Sequence, residues 1–99
     1  MRVTTAARWS YSPSLVWTGS GYGAAWEDDR FGGNNDIYFA RLTSEGVKVC
    51  GDVRVTFDAS DSWSPSLVWT VSGYGVAWYD DRDGNYEIYF NRLGWCVDE

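Results

Sequence analysis

The chain has 99 residues, a formal net charge of −6 and no histidine, with seven Trp, seven Tyr and four Phe. The acidic balance argues against nucleic acid as a partner, because phosphate contacts need clustered Lys and Arg. No run approaches the roughly 18 apolar residues that span a bilayer, and Met1-Arg2-Val3-Thr4-Thr5 leads into Ala6-Ala7-Arg8 without an apolar signal core, so a soluble chain with no membrane partner is expected.

Leu15-Val16-Trp17-Thr18, started by Ser-Pro and stopped near Gly19, reads as a first strand because β-branched and aromatic residues favour the pleated backbone. Gly19-Ser20-Gly21 turns the chain into Tyr22-Gly23-Ala24-Ala25-Trp26, a second strand whose small residues permit a neighbouring sheet to approach closely. A polar stretch from Asp28 to Asp36 makes the next turn, and Ile37-Tyr38-Phe39-Ala40-Arg41-Leu42 alternates as a third strand. After Ser44-Glu45-Gly46, the segment from Val47 to Thr56 supplies a fourth, outer strand with an interruption expected at Gly51.

The order then repeats. At an offset of 52, residues 2–30 align with residues 54–82, and 21 of these 29 positions are identical. The register slips by one residue, and residues 33–42 match residues 84–93 at an offset of 51. A period near 50 marks a propeller or solenoid unit, and four antiparallel strands per unit make a propeller blade. The two units are residues 1–52 and residues 53–99. In the second, Gly94-Trp95-Cys96-Val97-Asp98-Glu99 leaves the outer strand short or missing.

The turn Asp80-Asp81-Arg82-Asp83-Gly84-Asn85-Tyr86-Glu87-Ile88-Tyr89 resembles that of the β-propeller repeats of sialidase-like and Tol-associated sequences, and the resemblance covers nearly the whole chain, twice. It implies an all-β fold of two four-stranded antiparallel blades. It does not carry glycosidase activity, because the chain has neither a Ser-x-Asp-x-Gly-x-x-Trp box nor an arginine cluster of the sialidase kind. Two blades leave two broad faces uncovered, which head-to-tail closure by identical subunits removes. With four to eight blades per ring, a homotrimer of six blades is the favoured expectation, with homotetramer and homodimer as alternatives. Arg2-Val3-Thr4, the counterpart of Arg54-Val55-Thr56, is expected to complete the last blade of a neighbouring subunit. The competing reading is a piece of a longer propeller whose other blades lie on the same polypeptide.

The repeated Trp17/Trp69, Trp26/Trp78 and Tyr22/Tyr74 read as packing between blades. Aromatics that break the repeat, namely Trp9, Phe31, Phe57, Tyr79, Tyr86 and Trp95, are freer to serve a ligand. In the implied blade, the loop entering the first strand and the loop joining the second to the third share one end. Trp63, Tyr86, Tyr11, Phe31, Asp83 and Asn85 are therefore the candidate glycan-binding residues, rings covering a pyranose face while carboxylates and amides bond its hydroxyls. Asp81, Asp83, Asn85 and Glu87 have an oxygen-rich, calcium-loop-like spacing, but Asp, Gly and Asn also simply make turns, and no metal or other cofactor is assigned. Asp28 with Arg30, and Asp80 with Arg82, read as ion-paired braces rather than catalytic groups. Cys50 and Cys96 lack the spacing of a zinc site and are taken as free thiols by default, with a bridge between them in an oxidising compartment as the minority reading. The expected function is a non-enzymatic, self-assembling propeller scaffold with a binding or interaction role. A lectin-like propeller is the alternative, and a glycosidase-related one comes third.

Overall fold

A computed structural model of the chain describes residues 2–4, 10–30, 35–56, 61–82 and 84–93. They form seven strands: β1 (Ser10–Trp17), β2 (Gly21–Asp28), β3 (Asp36–Thr43), β4 (Lys48–Arg54), β5 (Ser62–Thr70), β6 (Gly73–Asp80) and β7 (Glu87–Leu93). All pairings are antiparallel between consecutive strands, giving one sheet in the order β1-β2-β3-β4 and another in the order β5-β6-β7. The fold is thus all-β. The second sheet has three strands among the described residues; the outer strand expected to be short or missing there falls on residues 94–99, which lie outside them.

The first strand of each unit starts five residues earlier than Leu15 and Leu67 suggest. A bulge explains this. The register shifts between Tyr11 and Ser14 and again between Trp63 and Ser66, and Ser12 and Ser64 take left-handed φ values of 56° and 55°. The bulge lets the strand pass Pro13 or Pro65, which has no amide to donate to a ladder. A larger irregularity, between Val49 and Val53, holds Cys50 (φ 71°) and Gly51 (φ 78°) and produces the interruption expected in the outer strand. Cys50 is disulfide-bonded, which corrects the expectation of a free thiol there. Cys96, the other cysteine of the chain, lies outside the described residues.

Because side chains alternate across a strand, each sheet has two faces. On the first sheet, the front carries Val16, Gly23, Ala25, Glu27, Ile37 and Phe39, and the back carries Leu15, Trp17, Tyr22, Ala24, Trp26 and Tyr38. The front of the first sheet packs on the back of the second. Ala25, Ile37 and Phe39 form one core with Val55, Tyr74, Val76 and Trp78, flanked by Leu67, Trp69, Tyr89 and Leu93. Tyr74 sits between two rings, edge-on to Phe39 at 4.8 Å and tilted against Trp69 at 4.8 Å. Gly23 permits this approach, since a β-carbon there would stand 2.5 Å from Tyr74 Cε1. Burying side chains of this size contributes about 1.5–3 kcal/mol each, which makes this seam the main apolar support of the chain.

Candidate functional site

Each sheet ends β2 or β6 with the same four-residue brace. Asp28 is buried and accepts Trp26 Nε1 at 2.9 Å, the Arg30 amide at 2.8 Å and Arg30 Nη2 at 2.8 Å. Asp80 does the same with Trp78 Nε1 at 3.1 Å, the Arg82 amide at 3.2 Å and Arg82 Nη2 at 2.7 Å. The guanidinium then caps a ring of the next strand, Arg30 over Tyr38 at 3.9 Å and Arg82 over Tyr89 at 4.0 Å. Each of those rings stacks on the Trp of its own sheet at 6.4 Å. Burial alone would raise both carboxyl groups, but the donors from Arg and Trp outweigh it and hold them below the ordinary aspartate value of 3.8. The ion-paired braces expected from the sequence are present in both repeats.

The seam between the sheets has a polar corner beside its apolar core. Glu27, buried on the front of the first sheet, accepts the Ser64 amide at 2.8 Å, satisfying a donor that the bulge withdraws from the ladder. Asn35 Oδ1 accepts a hydrogen bond from the Tyr11 hydroxyl at 2.6 Å, its backbone carbonyl accepts the Ser62 amide at 2.7 Å, and its backbone amide donates to Asp61 Oδ1 at 2.8 Å. Ser14 Oγ accepts the Leu67 amide at 3.2 Å. Neither Glu27 nor Asn35 was singled out from the sequence. The available signal was the break in the repeat, since their counterparts are Tyr79 and Tyr86.

In the second sheet the same corner is aromatic. Trp63, Tyr79 and Tyr86 form a closed trio, with centroid distances of 5.4 Å (Trp63–Tyr79), 5.6 Å (Trp63–Tyr86) and 5.7 Å (Tyr79–Tyr86). Of the candidate ligand residues, then, Trp63 and Tyr86 come together and recruit Tyr79, while Tyr11 is engaged in the first sheet's corner. Asn85 is exposed in the adjoining turn, whose Gly84 amide donates to the Asp81 carbonyl at 2.8 Å. Phe31 and Asp83 lie outside the described residues. So do Trp9, Phe57 and Trp95. Among the described residues, no three acidic or cysteine side chains gather where they could hold a metal ion, Asp81 and Glu87 included.

The two faces that do not meet each other are partly open: on the back of the first sheet Leu15 and Trp17 are exposed, while Trp26, Tyr38 and Ala40 are buried. Ile37 and Phe39 are 0% and 3% exposed in the seam, whereas their counterparts Ile88 and Phe90 on the front of the second sheet are 75% and 62% exposed. The back of the first sheet carries a groove of about 410 Å³ lined by Val3, Thr4, Pro13, Leu15, Ala24 and Trp26, among others. Pro13 and Leu15 are exposed there. Pro65 is buried and Leu67 partly buried at the corresponding places of the second sheet, where Ile37 and Phe39 join the same core. Each sheet therefore has a knob side and a groove side, and one of each is covered within the chain.

Comparison of the chain with protein-family models, curated proteins and solved structures finds no match. No helix among the described residues is long and apolar enough to cross a membrane. The functional reading therefore rests on the two open faces, the aromatic trio and the repeat itself.

Proposed function

We propose that the chain is a two-blade β-propeller unit that closes head to tail on further copies of itself, forming a scaffold with a binding or interaction role. The observation that carries this reading is the contrast between Ile37 and Phe39, buried in the seam, and Ile88 and Phe90, exposed at the same repeat positions. Exposed apolar side chains of one face match an apolar groove on the opposite end of the molecule, so a second copy placed as the first sheet is placed on the second satisfies both. A heterologous contact of this kind closes when its rotation divides a full turn evenly. Three copies give six blades, within the four to eight of known propellers.

Sedimentation velocity and native mass measurement across a wide concentration range test the proposal. The wild-type chain is expected to assemble into a closed species of fixed stoichiometry, and replacing Ile88 and Phe90 with Ser is expected to yield a folded monomer. A wild-type chain that stays folded and monomeric throughout would rule out the assembly.

A second reading, carbohydrate binding, is favoured by the Trp63, Tyr79 and Tyr86 trio with Asn85 beside it. Aromatic faces cover the apolar side of a pyranose, and amides bond its hydroxyls. On a glycan array, Trp63→Ala and Tyr86→Ala should each abolish whatever binding the wild type shows. Absence of wild-type binding on the array removes this reading and leaves the first intact.

A further inference from the structure

Asp36, at the start of β3, is the anchor of a clasp that ties the first sheet to the chain leaving β4. One carboxylate oxygen accepts Arg54 Nη2 at 2.8 Å, and the other accepts the Thr56 hydroxyl at 2.9 Å. Thr56 Oγ1 in turn accepts the Ile37 amide at 3.0 Å, and the Val55 amide donates to the Ile37 carbonyl at 2.7 Å. Arg54 also folds back so that its Nε donates to the Thr56 carbonyl at 2.9 Å, which sets guanidinium and hydroxyl side by side. Meanwhile Val55 and Thr56 line the back of the second sheet beside Trp78 and Tyr89. The segment thus bonds to one sheet at the start of β3 while lying on the back of the next.

Arg2, Val3 and Thr4 occupy the same repeat positions and hold the same local shape: Arg2 Nε donates to the Thr4 carbonyl at 2.7 Å. Val3 and Thr4 also lie on the back of a sheet, here the first, beside Trp26. Their anchor should then sit at the start of the corresponding strand in the sheet that packs there. The repeat position of Asp36 is Glu87, the first residue of β7, which is exposed beside the exposed Ile88.

We infer that Glu87 of one copy receives Arg2 and Thr4 of a second copy, reproducing between chains the clasp that Asp36 makes with Arg54 and Thr56 within one. The clasp rests on the head-to-tail reading above and names its polar contacts. Glu87 takes the Arg2 guanidinium on one oxygen and the Thr4 hydroxyl on the other, while Thr4 Oγ1 accepts the Ile88 amide of the first copy. A carboxylate held by a guanidinium and a hydroxyl fixes the register of the open faces, which apolar packing alone leaves loose.

A charge swap tests it. Sedimentation of the full chain should show Glu87→Arg and Arg2→Glu each weakening association by about tenfold or more, because each sets like charges against one another. Combining both substitutions in one chain should restore association to within about threefold of wild type, the pair being complementary again. Circular dichroism checks that every variant is folded, and both positions are exposed. Single variants that assemble like the wild type, or a double variant no tighter than the weaker single, overturn the clasp while leaving head-to-tail packing standing. A wild-type chain that stays monomeric overturns both.

Discussion

The ring of Tyr74 lies directly on the backbone of Gly23, so close that any β-carbon at position 23 would stand 2.5 Å from Tyr74 Cε1. Tyr74 cannot retreat, because Phe39 and Trp69 close on it from either side. Gly23→Ala is therefore expected to overpack the seam and cost about 1–3 kcal/mol. Its counterpart Gly75 faces the rim of the Phe90 ring at 3.0 Å and Val68 at 3.3 Å, side chains that are both exposed and can swing away. Gly75→Ala should lose well under half as much. Thermal melting followed by circular dichroism decides, at roughly 4–8 °C per kcal/mol for a domain of this size. Equal losses at the two positions would contradict the seam as described.

Glu27 carries the polar side of the same seam. Removing its carboxylate leaves the Ser64 amide without its acceptor at a bulge where the ladder offers no substitute. Glu27→Ala should cost about 1–3 kcal/mol in urea unfolding, the usual penalty for an unsatisfied donor. Glu27→Gln keeps an acceptor oxygen at the same reach and should lose less than half of that. If both variants unfold at the same urea concentration, the bond contributes nothing and the seam is held by apolar contact alone.

Strand order, turn positions and the braces were legible in the sequence because each is written by local chemistry. Leu15-Val16-Trp17 and Leu67-Val68-Trp69 mark β1 and β5, Gly19 and Gly73 permit their hairpins, and Asp28 with Arg30 are close enough in sequence to pair without help from the fold. The pairing of Trp63 with Tyr86 was legible too, once the two loops were assigned to one end of a sheet. Glu27 and Asn35 were not, because their partners lie across the seam in Ser64 and Ser62, and only three-dimensional packing reveals that distance. The disulfide state of Cys50 escaped for a related reason: a cysteine pair without a characteristic spacing gives no local signal. The early start of β1 and β5 was hidden by Pro13 and Pro65, which would halt a regular strand but are passed here by bulges.

Asp28 and Asp80 should give the protein an acid-sensitive limb. Both have folded-state pKa values held below the ordinary 3.8 by their Arg and Trp donors. A depressed folded value means that the stability from these carboxylates is complete above the unfolded value and is lost as pH falls through the folded one. Stability is thus expected to change little on this account between neutral pH and about 5, then to drop below about 4. Asp80→Asn removes one titrating group, so the stability gap between wild type and variant, measured by urea unfolding, should be widest near neutrality and narrow below about pH 4. A gap that stays constant down to pH 2 would mean that the brace is not held by the ionised form.

Ile37 and Ile88 are the same residue at the same repeat position, 0% against 75% exposed: Ile37 lies on the interior strand β3 under Val55 and the second sheet, and Ile88 on β7, the edge strand of the described second sheet. Ile37→Ala opens a cavity in a core that Val55, Val76 and Trp78 share, and should lower unfolding stability by about 2–5 kcal/mol. Ile88→Ala removes atoms that already face solvent in the single chain, so at concentrations where the chain is monomeric it should change stability by no more than about 0.5 kcal/mol. Raising the concentration should separate the two further. If a second copy covers Ile88 as the second sheet covers Ile37, the wild type gains stability with concentration by mass action, and Ile88→Ala loses most of that gain. Unfolding midpoints for both variants at low and high concentration supply the check: a midpoint for Ile88→Ala that tracks the wild type at every concentration would mean that Ile88 faces solvent in every state the protein adopts.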